Sequence, residues 1–137
     1  MEALGLLQKA IHIMKALILA LAMVESSFNP SAVGDNGDAV GLLQIHECVI
    51  QDVNRVYGTS YTLDDRLNPQ ASVAICTRYI AHWGQHYTKL TGQPLTQEVC
   101  AKIWNGGAYG WRKQGAVADR LDLYWSKVRK AINENNI

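Results

Sequence analysis

The chain has 137 residues, 48% of them hydrophobic and 18% charged, with a formal net charge of +1. That length can bury one core without the help of disulfides or a metal, and the composition excludes a disordered chain or a collagen-like repeat. A charge so close to neutral argues against nucleic acid as the main partner.

Residues 3–26 open the chain with apolar positions at helical spacing: Leu4, Leu7, Ile11, Met14, Leu17/Ile18, Leu21 and Val24. The spacing predicts a core helix whose buried face runs into Glu25. The stretch ALILALAMV, after Lys9 and Lys15, has the look of a signal-peptide core. A cut after Ala20-Leu21-Ala22 would remove the helix leading into Glu25, so no clear export signal is read here. Its nine continuous apolar residues are too few to span a bilayer, and no membrane insertion is expected.

Asn29-Pro30 stops this helix, because the residue before proline avoids the helical region. AVGDNGDAVG (32–41) is turn chemistry with room for two or three very short strands. Residues 42–58 then read as a helix with Leu43, Val49, Val53 and Val56 inside. Residues 59–69 read as a loop. A second long helix is expected over 69–92, and a short one over 96–107 with Thr96 as its cap. A glycine-rich turn (105–110) leads to a final helix over 117–132. No repeat, low-complexity tract or linker divides the chain, so 1–137 is expected to be a single domain.

Four Trp and six Tyr stand against one Phe. Aromatics with a polar handle suit a wet groove with apolar walls, such as a sugar site, and also ordinary core margins. Cys48, Cys76 and Cys100 leave at least one thiol unpaired in a monomer, the expected state. None of the three has metal-ligand spacing, so no metal is expected.

Glu25 is the candidate for chemistry. Partial burial disfavours a charged carboxyl and lifts its pKa above the ordinary value of about 4.3, and the negative end of the helix pushes the same way. Glu25-Ser26-x-Phe28-x-Pro30-x-Ala32, Gly41-Leu42-Leu43-Gln44-Ile45 and Trp104-Asn105-Gly106-Gly107 follow one another in the chain. Together they resemble the successive motifs of the soluble lytic transglycosylases, a lysozyme-like family that cleaves peptidoglycan. Asn68-Pro69, Arg78-Tyr79-Ile80 and Tyr124-x-x-Lys127-Val128 extend the likeness over roughly residues 16–132. Trp104 stands where the family has tyrosine, Gly106 where it has alanine, and Ala108 where proline is common.

The resemblance implies a mainly helical α+β fold, a lysozyme-like domain with a small β-turn or hairpin region beside the active cleft. It implies the glycan strand of peptidoglycan as partner, cut at the β-1,4 bond between N-acetylmuramic acid and N-acetylglucosamine, with no cofactor. Glu25 would be the acid. Ser26 would bond near the acid or the peptide-bearing sugar, and Gln44 would contact the N-acetyl groups. Asn105 would line the cleavage subsite and Tyr124 would orient Glu25. Trp104 and Tyr109, with Trp111, could form a carbohydrate platform. The place of action would be the cell wall, periplasmic or extracellular, and the small size would suit a phage or mobile-element enzyme delivered by other means.

A second likeness bears on reaction type. Gly34-Asp35-x-Gly37-x-x-x-Gly41-Leu42-x-Gln44 is similar to a stretch of goose-type lysozymes, which hydrolyse the same bond. Their aspartate in this turn helps position water, which makes Asp35 a possible second catalytic group. Their other aspartate falls where this chain has His46. Anhydro-forming cleavage by one carboxyl is therefore expected, with hydrolysis through Asp35 and His46 as the alternative and an inactive glycan-binding module as a third reading.

Overall fold

The computed structural model describes residues 2–134. Its first helix, α1 (Glu2–Ser26), joins the core only in its second half. From Ala16 to Ala22 every residue except Leu19 is buried. Leu4 and Leu7, each 57% exposed, and Ile11, 47% exposed, belong to the stripe that periodicity predicts to be buried. They stay in solvent because no other described element covers the first turns. Periodicity records which face is apolar, and burial also needs something to pack against it.

After α1 the chain forms a small antiparallel hairpin. Strand β1 (Val33–Gly34) pairs with β2 (Ala39–Val40) in the register Val33 to Val40 and Gly34 to Ala39. A 3-10 turn over Asp35–Gly37 joins them. Ile45 adds an isolated bridge to Val40, which moves the next helix from its expected start. Residues 42–45 are turn and bridge, and α2 spans Glu47–Tyr57. The reason is local. Gln44 sits at φ 53, a left-handed conformation that no helix interior accepts.

Residues 59–69, expected to be a loop, hold a 3-10 turn (Leu63–Leu67) closed by a capping box between Thr62 and Asp65. Helix α3 (Pro69–Thr91) starts on Asn68, whose side chain accepts from Ala71 N, with Pro69 in the first turn where its missing N–H costs nothing. Helix α4 (Gln97–Gly106) is capped by Thr96, as expected. A 3-10 turn (Gly110–Arg112) leads to α5 (Gly115–Glu134).

One hydrophobic core joins the five helices: Leu17 and Leu21 of α1, Val53 of α2, Ile75 and Ile80 of α3, Ile103 of α4 and Val128 of α5. Leu43 and Ile45, fully buried, pin the hairpin region to the same core. The fold is thus a mainly helical, lysozyme-like α+β arrangement with its hairpin beside the C-terminal end of α1. That is where Glu25 lies.

Candidate active site

Four parts of the chain converge on Glu25. From α5, the Tyr124 hydroxyl donates to Glu25 Oε2 at 2.6 Å. From α4, the Asn105 amide lies close enough to favour the ionised carboxylate. From α3, buried Cys76 sits near both Glu25 and Tyr124. Asp35 and His46 face Glu25 from the hairpin side. Burial is the largest influence and raises the Glu25 pKa above its ordinary range. The bond from Tyr124 and the nearby Asn105 amide pull it down without cancelling that rise, while Asp35 raises it and His46 lowers it. Burial likewise holds Tyr124 well above the usual tyrosine value, and the nearby Glu25 carboxyl adds to the effect. The phenol therefore stays a donor.

A cleft opens over this acid, lined by Glu25, Asp35, Gln44, His46, Val49, Trp104, Asn105 and Arg120. The hairpin wall is braced by Gln44, whose Nε2 donates to Ala32 O at 3.1 Å and Gly41 O at 3.0 Å. The amide nitrogen is thus engaged by the protein, and only Oε1 is left to accept from a ligand. Gly34 leaves room for this side chain: a Cβ there would come within 2.5 Å of Gln44 Oε1.

Ser26 has a structural bond set. Its hydroxyl donates to Leu42 O at 2.7 Å, with Ala22 O at 3.2 Å, and it accepts from Asn29 N. This ties the end of α1 to the 41–44 turn, and Ser26 is not among the cleft-lining side chains. His46 Nε2 and Asp35 Oδ2 are 2.9 Å apart, so the two hairpin-side candidates form a pair.

The aromatic candidates separate. Trp104, only 8% exposed, meets Tyr79 edge to face and borders the cleft. The Tyr79 hydroxyl meets the backbone of Ala108, and burial pushes its pKa up to about 12. Tyr109 lies outside the cleft lining, with its hydroxyl 3.0 Å from His86 Nε2 and its ring in contact with Trp83 and the Arg112 guanidinium. Trp111 packs against Tyr87, and its indole N–H is buried without a hydrogen-bond partner among the described residues. A continuous platform of Trp104, Tyr109 and Trp111 is therefore not formed.

Sequence reasoning missed Val49 and Arg120 as cleft residues. Arg120 carried a usable signal, because it lies four residues before Tyr124 and so on the same face of α5.

The transglycosylase SLT domain model matches residues 4–121. The chain belongs to this family. It is 34% identical over 98 residues to the membrane-bound lytic murein transglycosylase C of Salmonella typhi and to that of Shigella sonnei. Over 102 residues it is 34% identical to the Cronobacter sakazakii protein of the same name. These alignments cover 69% of this SLT chain and 27% of each relative, so it spans about a quarter of the length of the curated proteins it matches. No solved structure gives a significant match.

Proposed function

We propose that this SLT chain, read as one domain over residues 1–137, is a peptidoglycan-cleaving lytic transglycosylase in which Glu25 acts first as acid and then as base. The observation that carries the reading is the half-buried Glu25 at the floor of the cleft, with a raised pKa and a 2.6 Å bond from Tyr124. An acid must hold its proton near the working pH, and burial supplies that condition. The relatives' name, lytic murein transglycosylase, supports murein as the substrate.

In the proposed reaction the Glu25 carboxyl protonates the glycosidic oxygen between N-acetylmuramic acid and N-acetylglucosamine, and the C1–O bond breaks. The resulting carboxylate takes the proton of the muramyl 6-hydroxyl while that oxygen bonds to C1 and closes a 1,6-anhydro ring. No water is consumed and the carboxyl ends as it began. Tyr124 holds Glu25 Oε2 in place through the cycle. The reaction is proton transfer to an acetal, which asks for no cofactor.

The paired Asp35 and His46 favour a second reading. Two polar groups on the far side of the cleft could hold a water for attack at C1, as the second carboxylate of an inverting hydrolase does from about 6.5–9.5 Å. Digestion of purified peptidoglycan followed by mass spectrometry of the muropeptide ends separates the two. Anhydro-muramyl ends support the transglycosylase, and reducing ends, heavier by one water, establish hydrolysis instead. An intact polymer with wild-type protein would sink both and favour a glycan-binding module.

A further inference from the structure

Asn105 presents a choice that the cleft must resolve. The two ends of a side-chain amide have nearly the same shape, so its neighbours decide which end faces where. Arg120 Nη1 donates to Asn105 Oδ1 at 2.9 Å. A guanidinium can only donate, so the amide must turn its oxygen to Arg120 and its NH2 the other way. Asn105 and Glu25 line the same cleft, and the amide is near enough to favour the ionised carboxylate. Arg120 itself is exposed, and among the described residues no carboxylate pairs with it. Its contact with Asn105 is its one hydrogen bond among the described residues.

We propose that Arg120 is a positioning residue that locks the Asn105 amide with Nδ2 toward Glu25, so that the acid meets two donors, one from α4 and one from Tyr124 on α5. This deepens the proposed function and rests on Glu25 being the acid. With the amide reversed, Asn105 would present an acceptor to the carboxyl in place of a donor. A protonated Glu25 would then be held by a hydrogen bond to Oδ1, and an ionised one would face a lone pair. Either effect hinders the step in which the carboxylate forms and works as base. The other groups facing Glu25 are Tyr124, Cys76, Asp35 and His46. None of them contacts the Asn105 amide by a hydrogen bond among the described residues, which leaves Arg120 as the side chain that sets its orientation.

The test is a nuclear magnetic resonance titration of the Glu25 carboxyl carbon in wild type, Arg120→Ala, Asn105→Ala and the double variant. Circular dichroism checks that each is folded. Arg120→Ala is expected to move the Glu25 midpoint upward, and to move it no further when added to Asn105→Ala. No movement in Arg120→Ala overturns the proposal. An equal movement with and without Asn105 also overturns it, because Arg120 would then act directly as a charge. The titration needs no activity, so a protein that leaves peptidoglycan intact would defeat the proposed function while the titration still answers this question. On an active enzyme, Arg120→Ala should lower kcat with KM little changed, and shift the alkaline limb of the pH profile upward with the midpoint.

Discussion

The Tyr124 hydroxyl donates to Glu25 Oε2 at 2.6 Å across 99 residues of sequence, linking the end of the first helix to the middle of the last. The bond favours ionised Glu25 and opposes the rise caused by burial. Tyr124→Phe should therefore raise the Glu25 pKa further and leave the carboxyl free to rotate. A hydrogen bond to a charged group is worth about 1.5–3 kcal/mol, so kcat on peptidoglycan is expected to fall by about tenfold to a hundredfold. The pH–rate profile should shift upward at the same time. A profile that stays in place would show that Tyr124 does not act through Glu25.

Glu25→Gln removes the only group able to exchange the proton in the proposed reaction, and turnover should drop by about 10²–10⁴-fold. Its effect on stability has the opposite sign. The folded-state pKa of Glu25 is raised, so the folded protein binds the proton more tightly than the unfolded chain does. Its contribution is complete below the unfolded value and is lost as pH rises through the folded one. Thermal denaturation should show Glu25→Gln gaining on wild type at neutral pH, with the gain shrinking in acid. Equal differences at both pH values would mean that the carboxyl is not held protonated by the fold.

Asp35→Asn and His46→Ala separate the two reaction types. Under the transglycosylase reading both variants keep anhydro ends as the product and lose less than about tenfold in rate, since neither group takes part in proton exchange. If water attack is the reaction, each should lose most of its reducing-end product. Chromatography of the muropeptides reads the ratio directly.

Gly41 holds the turn that presents Gln44. It has φ 89, and a Cβ there would lie 1.9 Å from the Arg66 carbonyl oxygen. Gly41→Ala is expected to cost about 3 kcal/mol or more, which is roughly 10 °C in Tm for a domain of this size. Gly37, at φ 98 with open space around it, makes the control. Its alanine variant carries only the backbone strain, on the order of 1 kcal/mol.

The thiols should react unequally. All three cysteines are free, Cys48 exposed and Cys76 and Cys100 buried. Burial pushes Cys100 up to about 12 and Cys76 well above the ordinary value, so at pH 8 a thiolate at Cys100 is present at roughly one part in ten thousand. A disulfide reagent should label one equivalent in the native protein and three after denaturant. Fast labelling of two or more would show that the α3–α4 core opens readily.

Much of this was legible in the chain itself. Helical periodicity and caps located α3, α4 and α5 to within about two residues of their observed bounds, because Asn68, Thr96 and the glycine turns act on their own neighbours. The order of the motifs points to the family, and Glu25 stands out because a carboxyl at the end of an apolar helix is locally unusual. What the sequence could not show depended on contacts between distant segments. The start of α2 moved to Glu47 because Ile45 bridges Val40 and Gln44 takes a left-handed turn. Leu4, Leu7 and Ile11 have the right spacing, but no element among the described residues covers them. The serine after the acid became a tie to Leu42, and Tyr109 turned to His86 instead of to the cleft. The Arg120–Asn105 contact joins two helices whose relative placement no local pattern encodes. Local chemistry determined which residues were suited to the candidate site. The tertiary structure decided which of them meet, because burial and hydrogen-bond partnership belong to the assembled core and not to any one segment.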